Sequence, residues 1–106
     1  MNKHQALEQV LPQIEEALVS LDLWETTPPS ESALASTQPF CVDTLEFHQW
    51  VQFVMLVRVE QLVRNESPLP AASNIAPMAE EYFRPLPQDG TALIEALREF
   101  DRIIEG

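Results

Sequence analysis

The feature that most constrains the fold is a window of residues 50–59 in which only Gln52 and Arg58 are polar. Apolar side chains cover nearly the whole circumference of a helix built from this window, and such a helix is normally buried on several sides. The longest uninterrupted apolar run, residues 53–57, is far shorter than the about 20 residues that a membrane span requires. We therefore predict a buried central helix and reject a membrane-spanning one.

The ends of this helix are indicated by its flanking residues. Asp43 or Thr44, followed by Glu46, is typical of a helix start, because oxygen-bearing side chains accept hydrogen bonds from the free N–H groups of the first turn. No glycine or proline then interrupts the chain until Pro68. We predict one helix over residues 44–64.

Three further segments have the apolar spacing of amphipathic helices. They predict helices near residues 5–24, 75–84 and 90–105, with a kink where Pro12 interrupts the first. Strands are not indicated, since the chain has nine prolines, two glycines and no Asn-Gly or Asp-Gly pair between alternating apolar runs. The predicted fold class is all-α: a compact four-helix bundle-like domain whose central helix 44–64 is packed by the other three.

The domain organisation predicted from the chain length is simple. Residues 1–106 are expected to form a single helical domain, because 106 residues suffice for one modest core. Residues 25–36 are rich in proline and serine and are predicted to form a mobile loop. After that loop, Phe40 and Val42 are too apolar to leave in water, so we expect this end of the connection to lie on the bundle.

The charge of the chain argues against two classes of partner. The formal net charge is −11, and residues 37–64 contribute little of it, with three acids and two bases. The acidic side chains therefore lie mostly outside the segment predicted to be buried. A surface of this sign repels phosphate backbones and anionic lipids, which argues against direct nucleic-acid or membrane binding. Solubility alone is the simpler explanation of the charge, and a basic protein partner is the alternative.

The single cysteine and the N-terminal residues bear on the compartment. Cys41 has no second cysteine to pair with, so a reducing cytoplasm is the default, and we interpret Cys41 as a small apolar loop residue. The first ten residues lack the apolar core of a signal peptide. We predict a cytoplasmic location.

Several short strings carry a resemblance that extends over nearly the whole chain. They are Ser36-Thr37-Gln38-Pro39-Phe40, Asp43-Thr44, Trp50, Arg58, Leu69-Pro70 and Ala76-Pro77. Together they resemble the YqcC-like family of small bacterial proteins. The resemblance implies an all-helical bundle and implies little about activity. Members of that family are often encoded beside tRNA pseudouridine synthase C, which is an association of genes and not a mechanism.

Arg58 is the sharpest local conflict, because it falls in the middle of an apolar stripe that includes Val51 and Val54. A guanidinium in that position must find acceptors or reach water. The simpler explanation is structural, in which the side chain extends into solvent or pairs with a carboxylate. Candidate carboxylates are those of Asp43, Glu80 and Glu81. The functional alternative is a pocket in which Arg58 receives a phosphate or carboxylate, and structural ion pairs are the commoner case.

A second candidate site lies where the loop meets the central helix. The candidate binding residues are Thr37, Gln38, Pro39, Phe40, Trp50, Arg58 and Tyr82, with Trp24 as a further side of the groove. Aromatic side chains most often serve core packing, which is the simpler explanation here. The alternative is an exposed patch of aromatic residues and proline that docks a partner protein.

Residues for catalysis or metal binding are scarce. Each of the two histidines, His4 and His48, has an acidic neighbour in the sequence, but they lack the spacing of a zinc-binding helix, and we predict both at the surface. Gly90 and Gly106 alone cannot form a glycine-rich phosphate loop. We predict no catalytic residues, no metal and no cofactor.

The leading hypothesis is a non-enzymatic protein-interaction or accessory module with a link to tRNA modification. Its binding face would be the loop 37–40 and the adjoining central helix, and its partner would be a protein with a basic surface, such as an RNA-modifying enzyme. The alternative is a small anionic-ligand-binding protein with a pocket at Arg58, assisted by Gln38. A homodimer through an exposed part of the central helix is also open.

Overall fold

The structure, a computed structural model, describes residues 2–106, and this part of the chain consists of helices and connections without a strand. The predicted all-α fold class is therefore confirmed. The helices are α1 (Lys3–Ser20), α2 (Glu31–Leu34), a 3₁₀ turn (Pro39–Cys41), α3 (Phe47–Trp50), a π-helical turn (Val51–Met55), α4 (Leu56–Arg64), α5 (Ala76–Phe83) and α6 (Thr91–Glu105). Met1, which the predicted domain 1–106 includes, lies outside the described residues, and the mobility of residues 25–36 stays a prediction.

The predicted central helix exists, but it begins three residues later than expected. α3, the π-helical turn and α4 follow one another without interruption, and we call this unit the central helix. Glu46 caps it, and its backbone N–H donates to Gln49 Oε1 at 2.8 Å. Asp43 and Thr44 do not cap the helix, because their side chains bond to preceding residues: Asp43 accepts from Ser36 Oγ in the loop, and Thr44 donates to the carbonyl of Ala33 in α2.

The central helix buries one side of its surface and exposes another. Its buried apolar residues are Val51, Met55, Leu56 and Val59, which join the core with residues of α1, α5 and α6. Val57 is 46% exposed and Arg58 is also exposed. The central helix therefore contributes to the core as predicted but keeps one exposed side, and the most extensive helix packing is between α1 and α6. In residues 2–106, no helix is long and apolar enough to cross a membrane.

α1 continues through Pro12 and ends at Ser20, four residues before its predicted end. The helix stops in a Schellman motif, in which the N–H of Leu23 donates to the carbonyl of Leu18 and the N–H of Asp22 donates to that of Val19. Asp22 has φ 61°, the left-handed conformation that this motif requires and that glycine usually supplies. Trp24 consequently lies beyond the helix, where it packs against the core.

α5 is capped from outside its own segment. The sequence alone favours Ser73 or Asn74 as the cap, but the carboxylate of Asp101 on α6 accepts the N–H groups of Ile75 and Ala76 at 3.0 and 2.8 Å. Ser73 Oγ donates to the same carboxylate at 2.6 Å. One acidic side chain therefore fixes the start of α5 against α6, in addition to their apolar contacts.

α6 begins at Thr91, one residue after the predicted start at residue 90. The carboxylate of Asp89 accepts the backbone N–H of Thr91 at 3.0 Å and its hydroxyl at 2.5 Å, and these bonds hold the pKa of this exposed carboxyl below its ordinary value. Gly90, the residue between them, is buried against the ring of Phe83, and a Cβ there would lie only 2.4 Å from that ring. The absence of a side chain thus permits the close approach of α5 and α6.

Candidate functional site

The candidate binding face is organised by a strained turn at Phe40. Phe40 and Cys41 have φ angles of 58° and 51°, so two successive residues with side chains adopt the left-handed conformation. Each such residue costs about 1–2 kcal/mol relative to an ordinary one. The Cys41 carbonyl accepts the N–H of Leu45 at 2.8 Å, and both of these side chains are buried. The loop is therefore anchored through Cys41 and Leu45.

The same turn leaves two large apolar side chains in solvent. Phe40 is 42% exposed and Val42 is 69% exposed. This end of the connection lies on the bundle through Cys41 and through Phe40, which packs against Trp50. The expectation is wrong for Val42, because the left-handed backbone directs Cys41 inward and leaves Val42 outside. Backbone strain of this kind persists only where the surroundings enforce it, and it is concentrated at functional sites.

Phe40 begins a row of aromatic rings that crosses the surface of the central helix. Its ring lies edge-on to Trp50 with 4.8 Å between centroids, and Trp50 stacks with Phe47 at 6.5 Å. Phe47 in turn contacts Tyr82 at 5.6 Å. Three of the predicted site residues, Phe40, Trp50 and Tyr82, are thus brought together through Phe47, which the sequence did not single out as a site residue.

Two clefts lie on either side of Phe40. The first, which we call the Arg58 cleft, has a volume of about 250 Å³ and includes Phe40, Trp50 and Arg58 on one side and residues of the segment 70–75 on the other. Its inner surface is formed by the buried side chains of Met55, Val59, Phe100 and Ile104. The second, the Tyr82 cleft, has about 260 Å³ and is lined by Phe40, Val42, Leu45, Glu46, Phe47, Met78 and Tyr82.

Arg58 lies on the exposed side of its cleft and has no carboxylate within salt-bridge distance among residues 2–106. Its three predicted partners are occupied elsewhere. Asp43 accepts a hydrogen bond from Ser36, while Glu80 pairs with Arg98 and Glu81 pairs with Arg84. Of the two structural alternatives, the guanidinium therefore extends into solvent and forms no ion pair.

The π-helical turn Val51–Met55 aligns Trp50 with Arg58. In an uninterrupted α-helix, residues at this separation would lie about 80° apart around the axis. A π turn accommodates about one extra residue, which rotates the following residues back by about 100° and reduces the separation to about 20°. This turn lets both side chains line one cleft. Such turns often occur at functional sites.

The remaining predicted site residues stay outside both clefts. Thr37, Gln38 and Pro39 are exposed and lead to Phe40, and neither cleft includes them in its lining. Gln38 accepts the N–H of Cys41 with its backbone carbonyl at 3.1 Å. The predicted cooperation of Gln38 with Arg58 around one ligand is therefore not part of the geometry of the Arg58 cleft.

His48, Glu25 and Tyr82 form a hydrogen-bonded polar cluster next to the aromatic row. This cluster was not predicted from the sequence. His48 is only 8% exposed, with Nε2 3.0 Å from Glu25 Oε2 and Nδ1 2.8 Å from the hydroxyl of Tyr82. A carboxylate only accepts hydrogen bonds, so Nε2–H donates to Glu25, and Nδ1 shares a hydrogen bond with the Tyr82 hydroxyl. The prediction of a surface His48 was wrong, whereas His4 is half-buried and its Nε2 donates to the carbonyl of Ser67.

Two glutamines complete this cluster at Glu25. Gln49 donates to the Glu25 carboxylate at 3.1 Å, and Gln52 exchanges two hydrogen bonds with the Glu25 backbone at 2.9 and 2.8 Å. The hydrogen bond from Gln49, followed by that from His48, lowers the pKa of Glu25, whereas burial and then the charge of Glu46 raise the pKa of Tyr82. The sequence signal that could have indicated this cluster was the i, i+4 pair of polar residues His48 and Gln52 at the start of the most apolar segment of the chain.

Comparisons with known proteins connect this chain to small bacterial proteins and to a tRNA-modifying enzyme. The family DUF446, described as tRNA pseudouridine synthase C, matches residues 6–103. An uncharacterized protein of Haemophilus influenzae is 37% identical over 76 residues, which are 72% of each chain. The uncharacterized protein YqcC of Escherichia coli K12 is 35% identical over 80 residues, or 76% of this chain and 73% of that one.

Two further comparisons concern the fold and a longer relative. The solution NMR structure of protein YqcC from E. coli superposes with a TM-score of 0.85 at 28% identity, covering 99% of this chain and 90% of that chain. The tRNA pseudouridine synthase C of Pectobacterium carotovorum subsp. carotovorum is 39% identical over 70 residues, which are 66% of this chain but only 19% of that protein. About four-fifths of the longer relative therefore lies outside the match.

Proposed function

The chain belongs to the YqcC-like family, and we propose that it is a cytosolic, non-enzymatic accessory module that docks onto tRNA pseudouridine synthase C. The observation that carries the docking function is the exposed Phe40, held out by a left-handed turn and packed against Trp50. Aromatic side chains, phenylalanine among them, are enriched in the cores of protein interfaces relative to the rest of a protein surface.

The longer Pectobacterium relative supports the choice of partner. In that protein, a segment similar to this chain shares one polypeptide with a much larger part that lies outside the match. Covalent linkage gives two parts a high effective concentration, so that even a weak interface between them stays occupied. Where the two parts are separate chains, the same association requires a surface with sufficient affinity of its own. The exposed surface around Phe40 and Val42, which we call the Phe40 face, supplies one.

The acidic charge is consistent with a partner of this kind. An enzyme that binds tRNA carries a basic surface, because cationic side chains neutralise the phosphate backbone. A chain with a net charge of −11 is attracted to such a surface and is repelled by the RNA itself. We therefore expect the complex to form through apolar contacts at Phe40 and Val42 and to weaken as salt is added.

The polar cluster at His48 supports a non-enzymatic role. Both ring nitrogens of His48 are already hydrogen-bonded to side chains of the protein, and the ring is buried. A general base needs a nitrogen within reach of the proton that it removes. The arrangement instead joins the segment after α1 to the central helix and supports the aromatic row above it.

The test is a calorimetric titration of the purified chain into the tRNA pseudouridine synthase C encoded by the same genome. The double variant Phe40→Ser, Val42→Ser removes the apolar side chains of the face and is expected to weaken binding about thirtyfold, since losing a dominant contact costs about 2 kcal/mol. The matched control is Val19→Ser on α1, which removes a side chain that is 55% exposed outside this face. This control is expected to bind like the parent chain.

Two results would contradict the proposal. Absence of binding at low salt would remove the proposed partner, because the electrostatic attraction is then at its strongest. Equal weakening by the Val19 variant and by the double variant would mean that the Phe40 face is not the contact surface.

A further inference from the structure

We propose that the Arg58 cleft receives an extended segment of the partner protein that carries a large apolar side chain next to a carboxylate. The inference rests on the proposed function, in which the Phe40 face is a docking surface, and it specifies the chemistry of the segment that docks there. The apolar side chain enters between Phe40 and the segment 70–75, and the carboxylate binds the guanidinium of Arg58.

The composition of the cleft favours a large apolar side chain in the docking segment. Its inner surface consists of Met55, Val59, Phe100 and Ile104, all of which belong to the buried core, and its outer sides include the rings of Phe40 and Trp50. A volume of about 250 Å³ accepts a large side chain but not a folded element. Burial of such a side chain contributes about 1.5–3 kcal/mol, which corresponds to an affinity gain of tenfold or more.

We infer that the docking segment carries a carboxylate because Arg58 has no carboxylate partner in a strongly acidic chain. Arg84, Arg98 and Arg102, which are all of the arginines outside the central helix, each pair with a glutamate within the fold. Arg58 has no such carboxylate among residues 2–106, and unlike Arg64 it lines an apolar cleft beside Phe40 and Trp50. A guanidinium binds a carboxylate through two parallel hydrogen bonds, which fixes orientation as well as charge.

We infer that the docking segment of the partner is extended because the connection on the far side of the cleft has free backbone N–H groups. The connection from Pro68 to Asn74 contributes Pro70, Ala72 and Asn74 to the lining and contains no regular structure. Within residues 2–106, the backbone N–H groups of Leu69 and of residues 71–74 donate no hydrogen bond. Domains that recognise short segments at a sheet edge bond to them through free backbone groups while alternate side chains enter pockets. The free N–H groups of this irregular connection offer an extended peptide the same kind of bond.

The test uses two peptides with blocked termini, SAFES and SAFQS, which differ only in the carboxylate. Binding is followed by NMR through the indole N–H of Trp50 and the backbone amides of Ala72 and Asn74. The indole of Trp24, which is not in the lining of the cleft, serves as an internal control. We expect SAFES to shift the Trp50 signal saturably and to bind about fivefold more tightly than SAFQS, because an exposed ion pair contributes up to about 1 kcal/mol.

Matched arginine variants assign the effect to one residue. Arg58→Gln is expected to abolish the preference for SAFES, whereas Arg64→Gln, on the same helix but outside this cleft, is expected to keep it. Equal binding of the two peptides by the parent chain, or no saturable shift at Trp50, would overturn the inference. N-acetylphenylalanine binding as tightly as SAFES would also overturn it, because the cleft would then hold a small anionic ligand and would not use the backbone edge.

Failure of this inference is distinguishable from failure of the proposed function. If Arg58→Gln binds the synthase like the parent chain while the double variant Phe40→Ser, Val42→Ser does not, the docking face is correct and the carboxylate contact is wrong. If neither variant changes the binding of the synthase, the docking face itself is wrong.

Discussion

The ring of Phe40 meets the indole of Trp50 edge-on, with 4.8 Å between centroids and an angle of 71° between the ring planes. This contact joins the loop after α2 to the central helix at the point where the π-helical turn begins. It holds Phe40 in place while leaving 42% of the residue exposed. An aromatic ring that is both fixed and exposed loses little conformational freedom on binding, which favours its use as an interface anchor.

Replacement of Phe40 by glycine is expected to separate stability from binding. Glycine relieves the left-handed strain of about 1–2 kcal/mol, and this gain offsets part of what is lost, namely an aromatic pair of about 0.5–1.5 kcal/mol and the burial of a half-buried ring, about 1 kcal/mol. We therefore expect the free energy of unfolding, measured by urea denaturation, to fall by only about 1 kcal/mol. Binding of the synthase should nevertheless weaken about tenfold or more. A comparison variant, Trp50→Ala, relieves no strain and is expected to lose about 3 kcal/mol of stability.

A large loss of stability in the glycine variant would contradict this prediction. It would mean that Phe40 serves mainly to hold the loop on the helix. The functional interpretation of its exposed ring would then lose its main support.

The end of α4 offers a position where the native residue is not the most stable one. Glu66 has φ 52° and occupies the left-handed position of a Schellman motif, in which the N–H of Ser67 donates to the carbonyl of Leu62. Glu66→Gly is expected to raise the free energy of unfolding by about 0.5–1 kcal/mol, because relief of strain exceeds the entropy that glycine adds to the unfolded chain. Thermal and urea unfolding both measure this gain.

The matched control is Glu60→Gly, an exposed glutamate within α4. Glycine inside a helix costs about 1 kcal/mol, so the two substitutions are expected to act in opposite directions. If both variants were destabilised alike, the left-handed conformation at residue 66 would not be a source of strain.

The Glu25 carboxylate predicts how stability depends on pH. Its folded pKa is lowered from the ordinary value of 4.5, first by the hydrogen bond from Gln49 and then by His48. The stabilisation is therefore complete above about pH 4.5 and is lost as the pH falls through the lower folded value. Glu25→Gln is expected to be less stable than the parent chain near neutral pH, and the difference should narrow in acid.

Unfolding free energies measured by urea at a series of pH values check this dependence. Tyr82→Phe is the control, because Tyr82 bonds to the other ring nitrogen of His48 and its pKa is raised above 10 by burial, so it stays protonated throughout. The control should retain the acid dependence of the parent chain. A constant difference between Glu25→Gln and the parent chain from neutral to acidic pH would contradict the assignment.

The helical architecture could be predicted from the sequence because it depends on periodic apolar residues. The stripe of α6 and the unbroken apolar run of the central helix determine which surfaces must be buried, whatever the details of the turns. Phe40, Trp50 and Arg58 could be named from the sequence as candidate binding residues. The left-handed turn and the π-helical turn that bring them to one surface were not predicted.

The parts that could not be predicted depend on long-range contacts or on unusual backbone conformations. Two of the structural hydrogen-bond sets join residues more than twenty positions apart: Glu25 with His48, and Asp101 with the start of α5. No local sequence pattern predicts such contacts. The left-handed turns at Asp22, Phe40 and Glu66 use residues other than glycine, against the usual preference. The π-helical turn changes the angular spacing on which the assignment of helix faces was based.

The central claim, that this chain docks onto the synthase through the Phe40 face, is tested most directly by site-specific photo-crosslinking in cells. A photoreactive phenylalanine analogue placed at Val42, which is 69% exposed on this face, is expected to give a covalent adduct with the synthase on irradiation. The same analogue at Val19, 55% exposed on α1, is expected to give none. An adduct from residue 19 but not from residue 42, or no adduct from either, would contradict the account.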